Sequence, residues 1–118
     1  MIELAFFKPA EFKACVPSCS IEQMDEHFLR VLDMARKLAG VPFCLTSAYR
    51  SPGYDRSKGR SGKGFHTKGR AVDVRCRDSI TRWKILSGCL TVGLSCGLSK
   101  DGFVHIYDRD GEPIVFLY

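Results

Sequence analysis

Gly64-Phe65-His66-Thr67-Lys68-Gly69-Arg70-Ala71-Val72-Asp73-Val74-Arg75 decides how this chain is read, and Val104-His105-Ile106 is its distant partner. Both runs have the apolar character of buried strands, yet Asp73 stands between two valines and His105 between a valine and an isoleucine. An unpaired buried carboxylate costs several kcal/mol, so Asp73 needs an ionic partner or a metal. Period-two alternation over residues 70–76 puts Ala71, Asp73 and Arg75 on one face and Val72, Val74 and Cys76 on the other. By the same rule Phe103, His105 and Tyr107 share a face opposite Val104 and Ile106. His66, Asp73 and His105 therefore form a candidate zinc set. Hydrolytic zinc takes three protein ligands from His, Asp or Glu and keeps a fourth position for water. Such an ion would lower the pKa of its water to roughly 7 and polarise a scissile carbonyl. Ordinary polar roles for the three residues are the competing reading.

Outward from this core, Ser20-Ile21-Glu22-Gln23 has capping-box form and precedes an amphipathic helix. Met24, Phe28, Val31, Leu32, Ala35 and Leu38 recur there at helical spacing, and Gly40 is the stop signal. His27 falls beside this stripe and reads as a surface residue. Residues 41–49 read as a strand, with Pro42 tolerable near its start. Residues 51–63 are rich in Gly, Ser, Lys and Arg and read as a mobile basic loop. Lys58 to Gly64 superficially resembles a phosphate-cradling loop but lacks the Gly-Lys-Ser/Thr ending and a following helix. A second helix is capped by Asp78 or Ser79, buries Ile80, Trp83, Leu86 and Leu90, and ends at Gly93. Residues 94–100 read as a link, 103–107 as a strand, and 114–118 as a final strand pairing antiparallel with it across the Asp108–Gly111 turn. The expected fold class is α+β: one domain over residues 1–118, a mainly antiparallel sheet with two principal helices packed on it.

The length of 118 residues suits one such domain, and 45% apolar with 26% charged residues is ordinary for a soluble globular chain. No run approaches the roughly 18 apolar residues of a membrane span, and the amino-terminal stretch lacks the basic and apolar regions of a signal peptide. The expectation is a monomer made in a cytoplasm, without membrane partners. In that compartment the six cysteines do not imply a disulfide framework, and Cys44, Cys76, Cys89 and Cys96 lie in apolar segments as small hydrophobes. Cys15 and Cys19 have a spacing that allows a metal clip or a local disulfide; no second pair completes a four-ligand site, and free thiols remain open as well. The net charge of +5 is uneven, because Arg50, Arg56, Lys58, Arg60, Lys63, Lys68 and Arg70 fall close together. That patch favours an anionic partner.

Three blocks, Leu45-Thr-Ser-Ala-Tyr-Arg-Ser-Pro52, His66-Thr-Lys-Gly-Arg-Ala-Val-Asp73 and Phe103-Val-His-Ile106, resemble in order and spacing the signature blocks of the zinc D-alanyl-D-alanine carboxypeptidases and peptidoglycan endopeptidases. That family shares its metal site with the hedgehog signalling domain and the vancomycin-resistance dipeptidases. The opening Phe-Lys-Pro-Ala-Glu-Phe with Cys15 and Cys19, and the closing Val-Phe-Leu-Tyr, are most similar to small versions carried by bacteriophages. The resemblance implies a hedgehog-type zinc fold, one zinc held by His66, Asp73 and His105, and Arg50 holding substrate and stabilising the oxyanion. A guanidinium fork suits that task.

Relatives often place a catalytic acid or histidine two or three residues before the last zinc histidine, where this chain has Phe103 and Gly102. Many small relatives carry Asp two after it, where Tyr107 stands. Asp101, four before His105 and followed by Gly102, is the expected general base; Asp108 has the opposite strand parity. The expected activity is hydrolysis of D-amino-acid-containing bonds in peptidoglycan stem peptides or cross-links, by an enzyme made in a bacterial host and acting on its wall. The alternatives are a zinc-containing wall-binding module that is weak or inactive in catalysis, a nucleic-acid-binding protein using the basic loop, and a structural phage protein. Only Tyr49 and Tyr54 offer aromatic stacking near that loop, which argues against nucleic acid.

Overall fold

The alternation at 71–75 forms a strand, β2 (Ala71–Arg75), in the computed structural model, which describes residues 2–118. β4 (Phe103–Tyr107) pairs with it antiparallel, with Asp73 opposite His105. β1 (Cys44–Ser47) flanks β2 and β3 (Ser95–Ser99) flanks β4, both antiparallel, while β5 (Val115–Leu117) runs parallel beside β3. The sheet order is β1-β2-β4-β3-β5. Val72, Val74, Cys96, Val104 and Ile106, all 0% exposed, form the core face. Two helices complete that core: α2 (Glu26–Ala39) through Phe28, Leu29 and Leu32, and α4 (Ser79–Thr91) through Ile85 and Cys89. Each large aliphatic side chain so buried contributes roughly 1.5–3 kcal/mol before entropy is set against it. The α+β expectation, with two principal helices on a mainly antiparallel sheet, holds. Among the described residues no helix is long and apolar enough to cross a membrane.

The opposite face of the sheet carries the chemistry. Ser47, Asp73, His105, Gly97 and Phe116 are successive register partners across all five strands. A register shift between Leu45 and Ser47 bends the end of β1, and bulges of this kind re-aim the residues beyond them. Gly97 matters for what lies over it: a Cβ there would stand 2.4 Å from the Phe116 ring. Only glycine lets that ring lie across β3 beside His105.

Several elements differ from the sequence reading. Ser20 and Gln23 do form a capping box, but on a 3-10 turn, Ile21–Gln23; α2 begins later, with Asp25 accepting from the Phe28 N–H at 2.8 Å. Gly40 ends it in the left-handed conformation, φ 69°, as expected. Residues 94–100 are not a link, since β3 runs through them, and Ser-Cys-Gly-Leu-Ser carries too little β-branched character to announce a strand. Because β3 occupies the free edge of β4, the final strand cannot pair there, and it joins β3 in parallel instead. On α4 the buried side is Ile85, Gly88 and Cys89; Ile80, Trp83 and Leu90 face solvent and Leu86 is half-buried. The cause is a close helix crossing, in which a Cβ on Gly88 would meet the Ala35 carbonyl oxygen at 2.4 Å. Small residues set that contact and turn the larger ones outward.

The six cysteines are free thiols, including Cys15 and Cys19. Cys44 is exposed on the edge strand rather than packed as a small hydrophobe, whereas Cys76, Cys89 and Cys96 are buried. His27 is exposed, as expected. The stretch 51–63 is more ordered than its composition suggests. It contains a short helix, α3 (Pro52–Ser57), whose N-cap Ser51 accepts from the Tyr54 N–H at 3.1 Å. A fourth short helix, α1 (Pro9–Lys13), buries Phe12.

Candidate metal centre

His66 arrives on a 3-10 turn, Phe65–Lys68, that ends at Gly69 in the left-handed conformation, φ 68°. A side chain there would collide with backbone of residues 23–25 at 2.7–2.9 Å, so the turn sits tightly against the 3-10 segment before α2. The His66 ring is buried, and its Nδ1 lies 2.6 Å from the Ala48 carbonyl oxygen. A carbonyl only accepts, so Nδ1 carries the proton and Nε2 presents its lone pair to the cleft. A bond of this kind holds the ring of a metal-ligating histidine in place.

Asp73 lies between the two histidines. Its Oδ2 is 3.3 Å from His66 Nε2 and its Oδ1 is 2.8 Å from His105 Nδ1. Burial pushes the Asp73 carboxyl up; the hydrogen bond from His105, and the further hydrogen bond and charge that a cationic His66 would add, pull it well below the usual carboxylate range. With His66 protonated at Nδ1, Nε2 and the Asp73 carboxylate are two acceptors facing each other, an arrangement that calls for a cation between them. Ligand atoms of His66, Asp73 and His105 all lie within 4.8 Å of one another. Two donors at about 2.1 Å from one tetrahedral zinc stand about 3.4 Å apart, close to the His66–Asp73 distance. Donor type, the His66–Asp73 spacing and the His66 tautomer fit zinc.

Arg50 leaves β1 just beyond the bend. Its Nη1 is 3.3 Å from Ser47 Oγ and 4.0 Å from Asp73 Oδ2, and its Nε is 3.2 Å from Asp55 Oδ1. Asp55 is 3% exposed, and its other oxygen accepts from the Gly62 N–H at 3.0 Å. One buried carboxylate thus closes the 55–62 loop and fixes the guanidinium beside the triad. Burial, then the charge of Arg60, pulls the Arg50 pKa down, while Asp73 and Asp55 pull it back up. Sequence reading missed Asp55, because a carboxylate five residues after an arginine, in a glycine- and lysine-rich stretch, carries no periodic signal.

The cleft over these groups is a cavity of about 340 Å³, lined by Arg50, Arg60, His66, Asp73, His105, Phe116 and Tyr118. Phe116 and Tyr118, also missed as site residues, face the His105 ring edge-on at 6.4 and 6.5 Å. Nothing short of the β3–β5 pairing would have revealed them. Burial, then the charges of Asp73 and Asp101, raises the Tyr118 phenol. The structure therefore brings His66, Asp73, His105 and Arg50 together. Asp101 stands apart, exposed in the β3–β4 turn, where its N–H donates to Ser99 Oγ at 3.0 Å, and it is not among the cavity-lining residues. Asp108 is turned to Arg70, at 3.6 Å.

Neither a curated protein nor a solved structure matches the chain. A family model described as Peptidase M15 matches residues 5–107. That span runs from ahead of α1 to the last residue of β4 and takes in all three candidate ligands with Arg50, so the chain belongs to the Peptidase M15 family.

Proposed function

We propose that the protein is a zinc metallopeptidase that hydrolyses D-amino-acid-containing peptide bonds in the stem peptides or cross-links of bacterial peptidoglycan. The observation that carries this reading is the convergence of His66, Asp73 and His105 with Arg50 in one cleft, in a chain of the Peptidase M15 family. Zinc, held by the three ligands, would supply an activated water at neutral pH and polarise the scissile carbonyl. The remaining work belongs to the chain. The His66 Nδ1–H donates to the Ala48 carbonyl oxygen and so keeps Nε2 aimed into the cleft. Arg50, braced by Asp55, offers a fixed cation where the attacked carbonyl oxygen gains negative charge. Asp101 would take the proton from the attacking water, which requires the β3–β4 turn to lean over the cleft.

The enzyme would act on the wall of the host in whose cytoplasm it is made. Digestion of purified peptidoglycan with mass analysis of the products, with and without chelator, tests the reading. Chelator-sensitive release of stem-peptide fragments is the expected result, and no release under any condition would refute it. A second reading, a wall-binding module with little catalysis, is favoured by one observation: among the described residues Asp73 is the only Asp or Glu lining the cavity. Retained zinc and wall binding without turnover would identify it.

A further inference from the structure

We infer that one arm of the cleft is a carboxylate-binding subsite, in which Arg60 and Arg75, with Lys58 at the rim, hold an anionic group one or two residues from the bond that is cut. The position of that bond rests on the peptidase reading; the subsite itself does not. Beside the metal-centre cavity lies a second of about 410 Å³, and the two share Arg50, Arg60 and Asp73. They form one trough with unlike ends. One end is walled by the Phe116 and Tyr118 rings. The other carries Lys58, Arg60 and Arg75, with the hydroxyls of Thr46 and Ser47 at its base.

These cations are uncompensated. Of the lysines and arginines described, only Arg30, Arg36, Arg50 and Arg70 have a carboxylate within 4.0 Å; Lys58, Arg60 and Arg75 share the lack of one with other surface cations, and what sets them apart is that they line one arm together. The one acid lining their arm is Asp73, already engaged by both histidines. Like charges gathered without counter-ions favour an incoming anion, and the planar fork of arginine matches a carboxylate with two parallel hydrogen bonds. Spacing gives the register. Asp73 and Arg75 lie on the same face of β2, two residues and so about 7 Å apart. An extended peptide advances about 3.3–3.6 Å per residue. A carboxylate at Arg75 is then one or two residues from a carbonyl at Asp73, and the other side of the substrate runs toward Phe116 and Tyr118.

Two sources offer this group, a terminal α-carboxylate or a side-chain carboxylate, and the test separates them. Titration calorimetry measures binding of a stem-type peptide ending in two D-alanines, of its C-terminal amide, and of a version amidated only at its side-chain carboxylate. Wild type, Arg60→Gln, Arg75→Gln and the charge control Lys84→Gln, on α4, are compared at equal zinc content. One amidation is expected to weaken wild-type binding about tenfold or more, and which one does so names the source. Arg60→Gln and Arg75→Gln should bind acid and amide alike, while Lys84→Gln keeps the preference. Indifference of the wild type to both amidations, or a preference that survives in both arginine variants, overturns the subsite. Turnover is scored separately on the same peptides: acid preference without cleavage would sink the peptidase reading and leave the subsite standing.

Discussion

Arg50 faces Asp55 with its Nε and both Ser47 and the flank of Asp73 with its Nη1, a two-pronged geometry that a lysine ammonium cannot reproduce. Arg50→Lys should therefore keep its zinc and lose about 100-fold or more in kcat, the range for removing one oxyanion donor. Full turnover with unchanged zinc would reduce Arg50 to a brace for Asp55. Asp101, the proton acceptor we propose, is the other residue whose role turns on a single carboxylate. Asp101→Asn should retain metal and melting temperature while turnover falls about 100-fold, as is usual for loss of an acid–base group. Asp108, already facing Arg70, should tolerate Asn with a much smaller effect. Equal activity of Asp101→Asn and wild type would move the base elsewhere. Asp73 and His105 were legible at this scale because polar residues in apolar alternating runs stand out. Asp55 was not, since its burial depends on how the following loop folds back.

At the scale of elements, the α2–α4 crossing is decided by absent side chains. Gly88 lies mid-helix, where alanine ordinarily gains roughly 0.5–1 kcal/mol. Here the added methyl would stand 2.4 Å from backbone of α2, and overpacking of this kind costs about 1–3 kcal/mol. Gly88→Ala is therefore expected to lower stability in urea unfolding; a rise in the midpoint would show that the helices part freely. The same crossing explains why the apolar residues of α4 misled the sequence reading. Ile80, Trp83 and Leu90 have helical spacing, but the contact follows the narrow side of the helix rather than the bulky one. β2 and β4 were readable from alternation alone. β3 was not, because its central residue contributes only the space that Phe116 fills.

For the molecule as a whole, the proposed metal and the fold would be linked. An ion that binds only the folded chain at 1,000 times its Kd adds about 4.1 kcal/mol, which for a chain of this size is on the order of 10 °C or more in Tm. His66→Ala and His105→Ala should each lose zinc and that increment together, as metal analysis beside calorimetric melts would register. Zinc content unchanged in both variants would remove the metal centre. The alkaline limit has a different origin. Burial, then the nearby Cys19 and Asp73, raises the Cys15 thiol from 9.0 to about 12. The unfolded chain ionises first, so this contribution is complete below pH 9.0 and is lost as pH climbs toward 12. Cys15→Ala should flatten the fall of Tm between those values, and an unchanged slope would discount it. The five-strand row also fixes when the ligands can meet. Asp73 and His105 are 32 positions apart, and they meet only when β2 closes on β4; a one-residue slip in that pairing would turn His105 into the core. Capture of zinc during refolding is thus a stopwatch for sheet closure: a chelating dye present from the start should lose its metal to the protein no sooner than the long-range pairing forms.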